Sequence, residues 1–427
     1  MVMEKDMKKW QIRIFAACFI AYTAAYICRV NISVALPSIQ DALRLNSTSI
    51  GLIGTSFFWI YAIGQLVNGY IGDRVNSRTF IFIGLVVSAV LNVLFGFSSI
   101  LIILVLLWGA NGIFQSMLWG PIVRTLSNWY PSRMHNSVAF GMSFSLIIGY
   151  LLAWGISGLV LARLEWRWAF WIPAGIVLLL ACVWYVMARN KPSDAGFSDV
   201  HLVRHENGEG IDDDYIETET ESVPFWKLIK GTNLLFIAFT GIAQGMIKDS
   251  VSFWSPKLLM DTQNLTLILT VGVVLIIPVL NFIGIIFAGW LNRLLKYKEK
   301  LTILLLMLGS CISSLGLVFL IDKSAVLSVI LIAGASAFVF GANPAMTAII
   351  PLSYKQYGRV SSVAGFIDFS IYLGSGLAGA FTGFIVDSSG WNNVFIMWCL
   401  ISFLGAVSMG VSLIRESRHA GSNTLAG

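Results

Sequence analysis

The chain has 427 residues, 57% of them apolar and only 12% charged, with a mean hydropathy of +0.80. Soluble domains hold about twice that charge, roughly 25%. A soluble enzyme, a disulfide scaffold, a disordered chain and a nucleic-acid binder are therefore excluded as main readings, and a polytopic membrane protein remains.

In chain order, the N-terminus carries Glu4, Lys5, Asp6, Lys8 and Lys9 and then enters an apolar stretch. That stretch is too long for the apolar region of a signal peptide, so no cleavable signal is expected. Twelve spans follow, at 13–37, 50–72, 79–98, 100–126, 137–161, 168–188, 233–257, 267–291, 301–321, 325–350, 360–386 and 392–414. Each is near or above the roughly 20 residues that cross a bilayer as helix. The expected fold is an all-α membrane protein of twelve transmembrane helices. Between spans six and seven lies a polar loop, 189–230, with Asp212-Asp213-Asp214 followed by Glu217, Glu219 and Glu221. It reads as a solvated linker between two bundles. The expected domains are thus 1–188, a linker at 189–230, and 231–427.

The net charge of +6 belongs to the loops. Of 28 Lys and Arg, 21 fall at one end of the spans, five at the other and two inside them. An even number of spans puts both termini on one side, and the excess of cations places that side in the cytoplasm.

The two halves repeat. Arg29 stands eight residues before Pro37 and 44 before Asp73; Lys248 stands eight before Pro256 and 44 before Asn292. Ser137-Val138-Ala139, Phe144-Ser145 and Gly149 align at a constant offset of 225 with Ser362-Val363-Ala364, Phe369-Ser370 and Gly374. Two matches at consistent spacing indicate a duplicated six-helix unit, so the twelve helices form two pseudo-symmetric bundles. Repeats of this kind build transporters with sites near the midplane.

Four ionisable residues lie well inside spans: Arg29, Lys248, Asp249 and Asp368. A charge there costs roughly 2.5–3.5 kcal/mol even on the mild insertion scale, so such residues face a bundle interior or a wet cavity and mark a path. A structural ion pair is the plainer account, but two cations do not neutralise each other. Arg29 and Lys248 at equivalent positions of the two halves point instead to a bound anion; Arg supplies a planar fork and Lys a point charge. Tyr22 and Tyr26 share a helix face with Arg29. Tyr61 and Gln65 form an i, i+4 pair. Gln244, Lys248 and Ser252 make a stripe on span seven, and Asp368 with Tyr372 another on span eleven. Asp249 points about 100° away from Lys248 around the helix and reads as a balance for a cation elsewhere. Asp368 reads as a partner for Lys248 or a proton carrier, since a buried carboxylate is easily neutralised.

Gly72-Asp73-Arg74-Val75-Asn76-Ser77-Arg78 closes span two, and its charges, with Arg293 in the second half, suit a network at a cytoplasmic gate. Neither a phosphate loop nor a dinucleotide fingerprint occurs, and the chain offers no zinc spacing; His135, His201, His205 and His419 all lie in loops. The five Cys are scattered through apolar spans, which argues against a disulfide framework or a metal site. An enzyme is not expected, because no nucleophile, base and oxyanion donor gather anywhere, and no cofactor is implied.

These residues resemble the major facilitator superfamily, and within it the organophosphate:phosphate antiporters, the group of glycerol-3-phosphate and hexose-phosphate transporters. The likeness rests on Tyr22-x3-Tyr26-x2-Arg29-x-Asn31 running to Pro37, Tyr61-x3-Gln65, and Gly72-Asp73-Arg74-x-Asn76-x-Arg78. It continues in Phe114-Gln115-Ser116-Met117-x-Trp119-Gly120-Pro121, Trp254-Ser255-Pro256, and Tyr372-Leu373-Gly374 leading to Asp387 and Trp391. It covers about residues 10–415. The resemblance implies exchange of an organophosphate for inorganic phosphate by alternating access. The compact loops point to the inner membrane of a bacterium, with an organelle membrane as the alternative, and a monomer is expected. A basic pair would grip the phosphate; its matching positions are Arg29 and Lys248, with Tyr22, Tyr26, Tyr61, Gln65 and Tyr372 around the substrate. Where some members have Lys in span two this chain has Gln65, and a span-five His of the glycerol-phosphate members falls near Leu146. The less basic cavity leaves room for a carboxylate such as a sugar acid, carried with a proton on Asp368 or Asp249. A membrane sensor of sugar phosphate, binding without transport, is the further alternative.

Overall fold

The structure is a computed structural model that describes residues 2–72, 74–131, 134–197, 225–354 and 360–424. Asp73 of the expected gate and the acidic run of the linker lie outside the described residues. Among those described, every regular element is helical. The helices are α1 (Val2–Ile27), α2 (Asn31–Leu43), α3 (Ser47–Gly72), α4 (Ser77–Phe97), α5 (Leu101–Gln115), α6 (Trp119–Trp129), α7 (His135–Leu161) and α8 (Trp168–Met187). Then come α9 (Phe225–Gly231), α10 (Leu234–Gln263), α11 (Leu267–Val274), α12 (Ile276–Leu294), α13 (Glu299–Leu320), α14 (Ala325–Pro344) and α15 (Val360–Thr424).

Eleven helical stretches among the described residues are long and apolar enough to cross a membrane. The last, Ser362–Glu416, has 55 residues. At about 1.5 Å per residue it would be more than twice as long as a hydrocarbon core of roughly 30 Å. Gly390, at φ 77° and ψ 177°, breaks it; only glycine enters that region at little cost. The stretch is therefore two passes, which gives the twelve expected from hydropathy.

The chain packs as two compact units, Met1–Ala35 with Ile63–Ile216 and Leu36–Ala62 with Glu217–Gly427. Residues 36–62 precede the linker in sequence yet group with the second unit. Hydrogen bonds explain this grouping. The Asp387 carboxylate accepts from the backbone N–H of Ser47 (2.9 Å) and of Thr48 (2.7 Å) and from the Thr48 hydroxyl (2.7 Å). About two turns on, Thr55 Oγ1 donates to Gly376 O (2.6 Å) and accepts from Ala380 N (2.9 Å). Trp59 Nε1 donates to Leu373 O (3.2 Å). The first half of α3 is thus fastened along α15.

In the first unit α1 packs against α7 and α8, and α4 against α5 and α8. The buried face of α4 carries Ser77, Ile81, Gly84, Leu85, Ser88, Ala89, Asn92 and Phe95, at helical spacing. Its opposite face exposes Ile83, Val90, Leu94 and Phe97. Both faces are apolar, so the interior is marked instead by small and amide residues, as lipid-embedded packing requires. In the second unit α10 packs against α14 and α15, and α13 against α14 and α15. Gly245 and Gly374 make the α10–α15 approach possible: a Cβ on Gly245 would overlap Ile371 O, and one on Gly374 would overlap Ile242 O.

Candidate functional site

In the first unit, Arg29 does not lie in a continuous helix. The span expected at 13–37 is interrupted at residues 28–30, between α1 and α2. A break inside a membrane frees backbone groups that must find partners within the protein. The partners are amide side chains of α4 and α5. Cys28 O accepts from Asn92 Nδ2 (3.2 Å) and Asn111 Nδ2 (3.0 Å), and Ala25 O from Gln115 Nε2 (2.9 Å). Ser88 ties the set together, donating to Asn111 Oδ1 (2.6 Å) and accepting from Gln115 Nε2 (2.9 Å). Asn31, at the start of α2, donates to Asn92 Oδ1 and to Ala169 O, both at 3.0 Å. A second interruption, at 116–118 between α5 and α6, follows directly after Gln115.

Arg29 is anchored to this frame. Its side chain is 9% exposed, and Nε donates to Gln115 Oε1 at 3.3 Å. The guanidinium stands over the Tyr26 ring, 4.8 Å from its centroid. Tyr26 meets Tyr22 edge-on at 5.3 Å and Tyr150 at 5.3 Å, and Tyr22 meets Trp119 at 4.8 Å. The structure thus brings Arg29, Tyr22 and Tyr26 together as their spacing predicted, and adds Gln115, Tyr150 and Trp119. A planar cation with one edge held and aromatic rings beside it is preorganised for an oxyanion. Gln65 belongs to the same unit, half-buried on α3.

In the second unit Lys248 sits near the middle of α10, which runs unbroken for 30 residues. Its Nζ lies 3.4 Å from Asp249 Oδ2, the two side chains being 13% and 8% exposed. Asp249 in turn accepts a hydrogen bond from the Ser375 hydroxyl of α15, whose position follows from the Gly245–Gly374 approach. Lys248 Nζ also stands 5.4 Å from the Tyr372 ring centroid and 5.9 Å from that of Phe340. Tyr372 meets Tyr61 at 4.8 Å, and Tyr61 stacks on Phe57 at 5.8 Å. Lys248, Asp249, Tyr372 and Tyr61 therefore form one cluster. Among the described residues Asp249 supplies the ion pair to Lys248, and Asp368, exposed on α15, makes none. The polar stripe on span seven divides its work. Gln244 turns to α14, donating to Val339 O (3.0 Å) and Asn343 Oδ1 (3.2 Å), while Ser252 donates to Lys248 O (2.9 Å).

The gate residues are placed differently. Arg78 Nε donates to Tyr185 O (2.7 Å), and its guanidinium lies over the Tyr185 ring at 4.1 Å. Arg74 lines a polar cavity with Arg124, and Arg293 is exposed in the last turn of α12. Asn92, Asn111 and Ser88 carried no site reading in the sequence. Their signal was present, as buried amides in apolar spans rarely lack a function in packing. Among the described residues no group of three or more His, Cys, Asp or Glu is placed to hold a metal.

The chain matches the Major Facilitator Superfamily over residues 18–371. It is 27% identical to a probable hexose phosphate transport protein of Chlamydia trachomatis, covering 98% of this chain and 95% of that protein. It is 28% identical to the hexuronate transporter of Bacillus subtilis, covering 87% of each. The structure of a bacterial homologue of the human lysosomal transporter Spinster shares the fold, with a TM-score of 0.71 at 16% identity, covering 95% of this chain and 94% of that one. With twelve apolar passes and this match over most of its length, the chain is a multi-pass membrane protein that belongs to the Major Facilitator Superfamily.

Proposed function

We propose that the protein is a secondary transporter of a small organophosphate, taken in exchange for inorganic phosphate by alternating access. The observation that carries this reading is a cation held inside a membrane span in each unit, positioned by neighbours: Arg29 by Gln115 and Tyr26, Lys248 by Asp249 and Tyr372. A cation buried at that cost is retained for an anion that crosses. The similarity to a hexose phosphate transport protein supports a phosphate ester as the substrate. Arg29 and Lys248 engage the anionic head during the cycle; Tyr22, Tyr26, Tyr61, Gln65 and Tyr372 contact the rest. The bias of 21 cations against five supports both termini in the cytoplasm of a bacterial inner membrane, and one chain holds both units.

A second reading rests on the Lys248–Asp249 pair. A lysine already balanced leaves less net charge for a dianion and suits a monoanionic sugar acid, carried with a proton on Asp368. The hexuronate relative agrees with it.

The test is counterflow. Purified protein in liposomes loaded with inorganic phosphate should take up labelled phosphate. Arg29→Ala should lower the initial rate by about 10–100-fold, the loss of one charge-assisted bond. An Arg29→Ala protein that exchanges like wild type overturns the proposal. Uptake of a carboxylate driven only by an inward proton gradient, and lost in Asp368→Asn, would replace it with the second reading. Sugar phosphate binding without flux would point to a sensor.

A further inference from the structure

The Gly72–Arg78 motif contributes to a feature that the transport reading leaves unused. In the first unit a cavity of about 300 Å³ is walled by the connection from α3 to α4, the end of α6 and the segment after α8. That volume is at the lower end of the range of small-ligand sites. Among the described residues, three cations line it, Arg74, Arg124 and Lys191, with one carboxylate, Asp194. The carboxylate is engaged with its own backbone, accepting from Asn190 N (3.1 Å) and Lys191 N (3.3 Å).

The walls are tied to one another. Arg124 Nη1 donates to Gly72 O (2.8 Å) and Val75 O (3.1 Å), bracing the α3–α4 connection. Asn128 Nδ2 donates to Asn190 O (3.1 Å), and Asn190 Oδ1 accepts from Arg78 N (2.9 Å). The floor is the N-terminus of α4, where Asn76 accepts from Thr79 N. The first N–H groups of a 21-residue helix carry partial positive charge. Ser77, only 3% exposed, lines the cavity, and its hydroxyl makes no hydrogen bond among the described residues. A helix N-terminus, three cations and a buried hydroxyl donor are the complement of a tetrahedral oxyanion.

We propose that this cavity is an anion site that takes a phosphate group, separate from Arg29 and Lys248. It lies at the end of the unit where α1 begins, since Gln11 of α1 donates to Trp129 O and Trp129 Nε1 to Arg189 O. The proposed topology puts that end in the cytoplasm, at the level of the lipid headgroups. The phosphate group therefore comes either from an anionic lipid headgroup or from free phosphate.

The test uses the full-length wild-type protein in a neutral detergent. Native mass spectrometry titrates phosphatidylglycerol against phosphatidylcholine, and equilibrium dialysis measures inorganic phosphate. Lys191→Gln is the first variant, because Lys191 is exposed; Arg74→Gln with Lys191→Gln is the second, and Arg124 is left in place because it braces the backbone. Lys191→Gln should weaken binding of the phosphate-bearing ligand about tenfold, the double variant further, and Lys191→Arg should restore it. Loss confined to phosphatidylglycerol identifies a lipid site. A fall of one in phosphate stoichiometry identifies a free phosphate site, whatever the outcome of the exchange assay. Equal binding of both ligands to wild type and the double variant, with thermal midpoints unchanged, overturns the proposal.

Discussion

Lys248 carries its own counter-charge on the next residue. Neighbours in a helix point about 100° apart, which is why the sequence pattern separates Asp249 from Lys248. The four-carbon lysine stem spans that angle, and Ser375 fixes the carboxylate from the other side. Removing one member of a largely buried pair leaves the other uncompensated, at about 3–5 kcal/mol. Lys248→Ala and Asp249→Asn should therefore each lower the thermal midpoint in detergent, and Lys248→Ala with Asp249→Asn should recover part of the loss. A double variant as unstable as the sum of the singles would show that the two residues do not couple. Arg29 is the contrasting case. Its helix face and tyrosines follow from spacing alone, while Gln115, 86 positions away in the chain, enters only through packing.

At the scale of the element, the interruption at 28–30 is a built feature. No proline or glycine stands there; Pro37 lies well inside α2. What holds the break open is amide donation to Cys28 O from two other helices. Asn111→Leu removes one donor and the acceptor for Ser88, and should cost about 1–2 kcal/mol. A thermal midpoint equal to that of wild type would refute this. The start of α3 depends on another helix as well. Asn46 caps it locally, accepting from Ser49 N (2.9 Å), and Asp387 accepts from the N–H groups of Ser47 and Thr48, a second cap worth about 1 kcal/mol. In Asp387→Asn the amides of Ser47 and Thr48 should exchange hydrogen about fivefold faster, while those of α10 keep their wild-type rates. Neither device was visible in the sequence, because each pairs groups far apart in the chain.

For the whole molecule, the count of passes decides the sidedness of every loop. If both termini share one side, cysteine placed at Ser193 should be labelled from the same face as one near the N-terminus. Cysteine at Lys323, in the connection between α13 and α14, should be labelled from the other. Labelling of both from one face would remove the twelve-pass topology. Composition, hydropathy and the internal repeat together determined the fold class, the number of passes and the candidate cations, because a bilayer imposes length and apolarity on each span separately. Only the tertiary structure decided which polar groups meet. It paired Lys248 with Asp249, seated Arg29 on Gln115 at a broken helix, and grouped residues 36–62 with the second unit. In a chain apolar on every face those choices rest on a few amides, carboxylates and glycines, whose partners no periodicity reveals.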